Sequence, residues 1–260
     1  MYIAEQQMLS AAVGMQVRGW KPFAATFAAF LTRAYDFARM AAVSRANVCL
    51  CGSHAGVSIG EDGPSQMGLE DLAAMRAVFG STVVYPCDAN QTARLLALLA
   101  DTPGVTYIRT TRQATPVRYG AVEDFELGGS RVLRSSKKDA LTIVAAGITV
   151  AEALAAAETL AAAGTAARVI DLYSIKPLDL KTLRAAATAT GHVLTVEDHW
   201  PEGGLGEAVF SALAEAGLGV RGELLAVRHM PGSATPDQEL AEAGIDRAAI
   251  VAGAKRLLSS

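Results

Sequence analysis

The sequence predicts an α/β fold made of two open-sheet α/β domains. Helical stretches with apolar periodicity alternate along the chain with short β-branched runs, which is typical of mostly parallel sheets covered by helices. With 51% apolar and 19% charged residues, the composition is that of a globular chain and excludes a disordered one. A length of 260 residues suits two domains of ordinary size.

The first half of the chain is predicted to alternate helices and strands. Asp88 precedes Gln91 by three positions, which predicts a capping box at the start of a helix that ends at Leu99. The other predicted elements are a helix at 1–17, an extended run at 21–26, a helix at 31–44, a strand at 48–52, a helix at 69–78, and strands at 82–85 and 105–109.

Between Gln113 and Ala140 the apolar periodicity fails and charged residues concentrate, above all at 134–139. This segment is predicted to be an exposed connection, with the domain boundary near residue 125, so that the domains are 1–125 and 126–260. The second domain is predicted to contain strands at 141–146, 167–172, 192–197 and 223–227, and helices at 150–163, 178–188, 205–216 and 246–258.

The first domain begins inside a helix that has no strand before it and no N-cap. Parallel sheets normally have both faces covered by other elements. A domain that begins in this way is expected to lack covering structure, so part of its sheet surface is expected to be open.

Composition also limits the kinds of molecule that the chain is expected to bind. The net charge of −3 is small and evenly spread, which argues against nucleic acid and anionic membranes as partners. No run reaches the roughly 18 apolar residues of a membrane-spanning helix, and the first residues do not form a secretory signal, so a cytoplasmic location is expected. The three cysteines are expected to be buried small hydrophobes, and the four scattered histidines predict no metal site in this chain.

Two regions carry residue types suited to chemistry. Glu5 lies in an otherwise apolar helical turn, where a carboxyl can share a proton with a ligand, although a solvated acid at a helix start is the plainer interpretation. The Gly-rich segment 53–66, called the polar loop below, follows a strand, where open α/β sheets bind ligands. It gathers His54, Asp62 and Gln66, although it could also be an ordinary connection.

Aromatic and basic residues add to these candidates. Phe27 and Phe30 are three positions apart and would share one face of a helix, forming an aromatic wall, unless they are simply core residues. Arg112 follows a strand that ends near Arg109, so it lies at a carboxyl edge where it could meet an anion. The alternative is an unremarkable surface arginine.

Taken in order, these residues resemble the transketolase family along essentially the whole chain. Gln66 stands where other branches of the family usually have histidine, so the resemblance is to the animal-type branch. The segments that carry the resemblance are 2–6, 26–30, 52–66, 108–112, 175–179 and 195–199.

The resemblance implies thiamine diphosphate as cofactor and roles for several residues. Glu5 matches the glutamate that hydrogen-bonds the aminopyrimidine ring and drives its imino tautomer. Phe30 matches an aromatic residue that packs on this ring, with Phe27 beside it, and Gln66 matches a residue near cofactor and substrate. Glu5 and His54 are thus the expected catalytic residues.

The remaining matches concern the substrates. His54 and Arg112 match positions that bind the sugar phosphate, and Asp62 matches one that binds a sugar hydroxyl. The implied reaction moves a two-carbon ketol unit from a ketose phosphate to an aldose phosphate, as in the pentose phosphate pathway.

The sequence departs from the family pattern in two places. No Gly-Asp-Gly with a downstream Asn occurs, so the diphosphate-binding domain and its Mg²⁺ ligands are expected on another domain or subunit, within a homodimer or heterotetramer. The pyrimidine-binding domain also starts late, so the chain is expected to be a truncated or alternatively started product that is inactive by itself.

Two other functions remain open at this point. A deoxyxylulose-phosphate-synthase-like enzyme would share the glutamate and a similar glycine loop, and a non-catalytic dimerisation fragment would use neither. The glycine cluster at 202–207 is interpreted as a turn and helix start, because it lacks the third glycine of a nucleotide-binding loop.

Overall fold

The structure is a computed structural model that describes residues 3–259. The first half contains four α-helices and four strands, together with two 3₁₀ helices at Ala28–Ala34 and Val57–Asp62. The helices are α1 (Glu5–Val17), α2 (Tyr35–Val43), α3 (Asp71–Ala77) and α4 (Ala89–Leu99), and the strands are β1 (Phe23–Phe27), β2 (Val48–Ser53), β3 (Thr82–Val84) and β4 (Val105–Arg109).

The second half is a similar alternation of strands and helices. Its strands are β5 (Arg131–Arg134), β6 (Leu141–Ala145), β7 (Ala167–Asp171), β8 (Ser174–Lys176), β9 (His192–Val196) and β10 (Arg221–Leu225). Its helices are α5 (Thr149–Ala162), α6 (Leu180–Thr190), α7 (Leu205–Glu215), α8 (Pro236–Glu242) and α9 (Arg247–Ser259). The predicted α/β fold with two sheets is confirmed.

The first sheet has the order β1-β2-β4-β3-β8. Strands β1, β2, β4 and β3 are parallel, and all five residues of β4 are buried, as expected for a strand covered on both faces. The antiparallel edge strand β8 comes from the second half of the chain and pairs Lys176 with Val83. The two halves therefore share one sheet, which the sequence did not predict.

The second sheet has the order β10-β9-β6-β7-β5. Its four parallel strands end in an antiparallel edge strand, β5, which pairs with β7. The prediction that 113–140 is simply an exposed connection is therefore wrong in part. Tyr119 and Phe125 are buried because their rings pack edge to face with each other and with Tyr173.

Other local differences have local causes. The predicted helix at 31–44 is a 3₁₀ segment followed by α2, and the polar loop contains a 3₁₀ turn. The Asp88 side chain caps α4 by accepting from Gln91 N at 2.7 Å, but Gln91 Oε1 accepts from Cys87 N instead of closing a capping box. Met1 and Tyr2, part of the predicted first helix, lie outside the described residues.

Strand β1 forms one edge of the first sheet. Edge strand β1 pairs only with β2 within residues 3–259, and Met15, Trp20 and Phe23 are exposed beside it. In the same range, no helix has the length and apolar character needed to cross a bilayer, and no three His, Cys, Asp or Glu side chains form a potential metal site. Cys49 and Cys87 are buried, and Cys51 is half-buried.

Candidate active site at the carboxyl edge of the first sheet

The carboxyl ends of three neighbouring parallel strands meet at one edge of the first sheet. Phe27, at the end of β1, pairs with Ser53, at the end of β2, and Gly52 pairs with Arg109 at the end of β4. The segments that follow these strands therefore start side by side, at the edge where open α/β sheets bind ligands.

An aromatic stack runs along this edge. The rings of Phe27 and Phe30 are stacked with centroids 5.4 Å apart, and the His54 imidazole stacks with Phe27 at 4.1 Å. The predicted aromatic wall is present, although Phe27 ends a strand and only Phe30 lies in the 3₁₀ turn. His54 has φ +57°, a backbone conformation that non-glycine residues rarely adopt and that often marks functional sites.

Glu5 is linked to this stack through an arginine that the sequence reasoning missed. Its side chain is 7% exposed, in the first turn of α1, and Oε1 accepts a hydrogen bond from Arg33 Nη1 at 3.1 Å. The Arg33 guanidinium also lies 4.6 Å from the centroid of the Phe30 ring. The three-residue spacing between Phe30 and Arg33 could have indicated that the two side chains lie on the same side of a helical turn.

Glu5 and the two phenylalanines line one cavity of about 1260 Å³ between α1 and β1. A buried carboxylate beside two parallel phenyl rings suits a flat heteroaromatic ring, which could pack on the rings and hydrogen-bond the carboxylate through a ring nitrogen. The other lining residues include Ala4, Met8, Ala12, Phe23, Thr26 and Arg33.

The polar loop and the segment after β4 bring an acid, a base and a histidine together. Asp62 Oδ1 and Arg112 Nη1 form an ion pair at 2.8 Å, and both side chains are partly exposed. Burial lowers the pKa of the His54 imidazole, the positive charge of Arg112 lowers it further, and Asp62 acts in the opposite direction. His54 is therefore mainly neutral at pH 7, with Nδ1 2.9 Å from the Ser53 hydroxyl.

Gln66 forms local hydrogen bonds within the polar loop. Its backbone N donates to Gly63 O at 3.1 Å, and its side-chain oxygen accepts from the Ser65 hydroxyl. Across residues 3–259, none of its hydrogen bonds leaves its own loop.

A buried charged pair lies beneath the polar loop. Arg109 is fully buried, its Nε donates to Asp71 Oδ2 at 2.9 Å, and its guanidinium lies 4.6 Å from the Tyr85 ring centroid. Tyr107 donates to the same Asp71 oxygen at 2.5 Å. Burial, reinforced by the charge of Asp71, raises the pKa of the Tyr107 hydroxyl well above its usual range. Arg109 is thus a structural group, unlike the partly exposed Arg112.

The glycine cluster of the second half starts a helix, as predicted. Gly204 is the N-cap of α7, and Glu197 accepts from the Leu205 and Gly206 backbone N atoms at the start of this helix. Burial raises the Glu197 pKa to about 8, although the two backbone hydrogen bonds act in the opposite direction.

The chain matches two family models, the transketolase pyrimidine-binding domain over residues 1–118 and the transketolase C-terminal domain over residues 130–250. It is 51% identical over 260 residues to a transketolase of Rattus norvegicus and 51% identical over 261 residues to one of Homo sapiens. These matches take in 99% of this chain but 42% of each relative, so the chain spans less than half the length of these curated relatives.

A solved structure described as a split-gene transketolase, an inactive beta4 tetramer, superposes with a TM-score of 0.92 at 38% identity. The superposition covers all of this chain and 83% of that one.

Proposed function

Because the chain belongs to the transketolase family and corresponds to the C-terminal portion of a transketolase, we propose that it supplies the pyrimidine half of a thiamine-diphosphate site. The observation that carries the proposal is the buried Glu5 carboxylate in one cavity with the stacked Phe27 and Phe30 rings. A carboxylate that accepts hydrogen bonds and two flat apolar rings fit an aminopyrimidine ring.

Glu5 holds the proton-sharing role in this proposal. Its carboxylate would hydrogen-bond a ring nitrogen of the cofactor, and Phe27 and Phe30 would pack against the ring and exclude water. Arg33 pairs with Glu5 and fixes the orientation of its carboxyl group. When bound, thiamine diphosphate supplies the electron sink for breaking a carbon–carbon bond next to a carbonyl.

The polar loop and Arg112 bind the substrate. Arg112 meets the phosphate of a sugar, because its guanidinium is partly exposed and offers several donors. The neutral His54 ring joins Arg112 at the sugar phosphate and can move a proton at a sugar hydroxyl, Asp62 accepts from another hydroxyl, and Gln66 lies near cofactor and substrate. The proposed reaction transfers a two-carbon ketol unit from a ketose phosphate to an aldose phosphate.

The site requires a partner. The diphosphate site and the Mg²⁺ ligands are proposed to lie on an N-terminal domain or subunit, in a homodimer or a heterotetramer. The proposed division of this chain is 1–125 for the partial pyrimidine-binding domain and 126–260 for the C-terminal domain. The similarity to animal transketolases supports this function over that of a deoxyxylulose-phosphate synthase.

Calorimetric titration tests the cofactor site. The chain is titrated with thiamine diphosphate and Mg²⁺, with and without a polypeptide carrying a transketolase diphosphate domain. Binding is expected only with the polypeptide, and Glu5→Gln is expected to weaken it at least about tenfold because a neutral amide accepts a weaker hydrogen bond. Glu215→Gln, at an exposed glutamate, is the matched control. Equal binding by both variants would exclude Glu5 from the site.

Activity assays test the reaction and the need for a partner. The reconstituted protein is expected to use xylulose phosphate as donor and not pyruvate, and the purified chain alone is expected to show no turnover. Preference for pyruvate would point to the synthase, and turnover by the chain alone would refute the need for a partner.

A further inference from the structure

The polar loop rests on a buried carboxylate from the second half of the chain. Asp198 follows β9 and is fully buried, and its Oδ1 accepts a hydrogen bond from Val57 N at 2.8 Å. Its other oxygen, Oδ2, has no hydrogen-bond partner among residues 3–259. This side chain thus has a single hydrogen bond, and that bond is to the loop that carries His54 and Asp62.

The absence of a side chain at Gly56 allows the loop backbone to lie close to the Asp198 carboxylate. A Cβ atom at Gly56 would overlap the Asp198 carboxylate, and the residue has φ +80°, a conformation that L side chains rarely adopt. The loop backbone therefore lies directly against the carboxylate, two residues after His54.

The backbone of Asp198 is also fixed. Arg109 Nη2 donates to Asp198 O at 2.7 Å and to Gly68 O, just after the polar loop, at 2.9 Å. Because Arg109 also pairs with Asp71, one guanidinium connects the Asp198 backbone, Gly68 and the start of α3.

A second contact holds the far part of the loop. The Ser233 hydroxyl donates to Glu61 O at 3.1 Å, and a Cβ atom at Gly60 would lie 3.0 Å from Pro236 Cδ, at the start of α8. The second half of the chain therefore contacts the segment between His54 and Asp62 at two places, near Val57 and near Glu61.

From these contacts we propose that Asp198 is a positioning residue for the substrate site. Through the Val57 N–H it sets the path of the polar loop, so that His54 stacks on Phe27 and Asp62 reaches Arg112. The positioning role rests on the proposed function of His54 and Asp62 as substrate-binding residues. It gives the second half of the chain a direct part in forming the site.

The test compares Asp198→Ala with Asp198→Asn in the full chain. Asparagine keeps an oxygen that can accept from Val57 N, whereas alanine removes it. Asp171→Ala is the control for general destabilisation, because Asp171 is an equally buried carboxylate whose partners lie outside the polar loop. All variants are checked for cooperative unfolding.

The first readout is the proton spectrum of the histidine rings, which is simple because the chain has only four histidines. Asp198→Ala is expected to move the His54 resonances toward those of a free imidazole as the ring leaves Phe27. The second readout is amide hydrogen exchange, which is expected to accelerate about tenfold or more over 53–63. Asp198→Asn and Asp171→Ala are expected to leave both readouts close to those of the unmodified chain.

A folded Asp198→Ala chain with unchanged His54 resonances and loop exchange would overturn the proposal, as would equal changes in Asp171→Ala. If Asp198→Ala does not fold, the Gly56→Ala variant tests the proposal instead. Its added methyl group would overlap the Asp198 carboxylate and push the loop away from it. Unchanged readouts in that variant would also overturn it. These measurements need no cofactor, so they are independent of the test of the proposed function.

Discussion

Two arginines three positions apart, Arg109 and Arg112, have different roles because their surroundings differ. Arg109 is fully buried against Asp71, whereas Arg112 and its partner Asp62 are partly exposed. A buried pair that loses one partner leaves a charge without compensation, but an exposed pair is screened by water. Burial therefore makes Arg109 structural and leaves Arg112 available to a ligand.

Leucine substitutions at these two positions should separate the roles. Arg109→Leu is expected to lower the free energy of unfolding by about 3–5 kcal/mol, because the Asp71 carboxylate stays buried without its cation. Arg112→Leu is expected to cost less than about 1 kcal/mol. Urea unfolding measures both values. Similar losses in the two variants would contradict the assignment of roles.

Short elements were the hardest to predict. The sequence pattern identified longer helices such as α4 and α6, since several turns of apolar periodicity define them. It missed α8, which has seven residues and too few turns to show a period. The signal for α8 was instead its Thr235–Gln238 capping box, with Pro236 in the first turn.

The α8 cap should affect the polar loop that packs on this helix. Thr235→Ala removes the acceptor for Gln238 N and is expected to cost about 1 kcal/mol of stability. It is also expected to raise hydrogen exchange at 60–63, because Pro236 contacts Gly60. Thr235→Ser, which keeps the hydroxyl, is the control. An equal effect of the serine variant would show that the cap is not the cause.

At the scale of the whole molecule, the two halves are joined by a shared sheet and by a buried carboxylate. Strand β8 extends the first sheet, and Asp171, at the end of β7, accepts from Tyr119 at 2.7 Å and Gln91 at 2.8 Å. Both donors belong to the first half. The halves are therefore expected to unfold together.

Asp171 should make stability depend on pH. Burial raises its pKa from 3.8 to about 6, although hydrogen bonds from Tyr119, Gln91 and Cys87 lower it, and the charge of Asp88 raises it further. The folded state thus holds a proton that the unfolded state releases. The associated stability is fully present below pH 3.8 and is lost as pH rises through about 6, by about 3 kcal/mol at most.

Asp171→Asn is expected to remove this loss of stability at rising pH, because asparagine does not titrate. Its stability relative to the unmodified chain is therefore expected to rise between pH 4 and pH 7.5, as measured by urea unfolding. Asp179→Asn should change in the opposite direction and at lower pH, mainly below 3.8, the ordinary pKa of an aspartate. Burial raises the Asp179 pKa, but hydrogen bonds from Thr182 and Ser130 outweigh this effect and lower it. A pH-independent difference for Asp171→Asn would contradict the assignment.

The sequence alone determined the alternation of helices and strands, because hydrophobic periodicity is a local property of the chain. It also singled out His54 and Arg112, since residues that follow parallel strands meet at one sheet edge whatever lies elsewhere. Glu5 and Phe27 were singled out by residue type, by spacing and by the resemblance to the transketolase family. The specific pairings, by contrast, depended on packing between distant segments.

The tertiary structure alone decided the partner of Glu5, the burial of Arg109, the pairing of β8 and the contact of Asp198 with the polar loop. Asp198 lies 141 residues from Val57 along the chain, and no local sequence pattern predicts a contact between residues so far apart. The physical reason is that burial and hydrogen bonding between distant residues arise only when the two halves pack together.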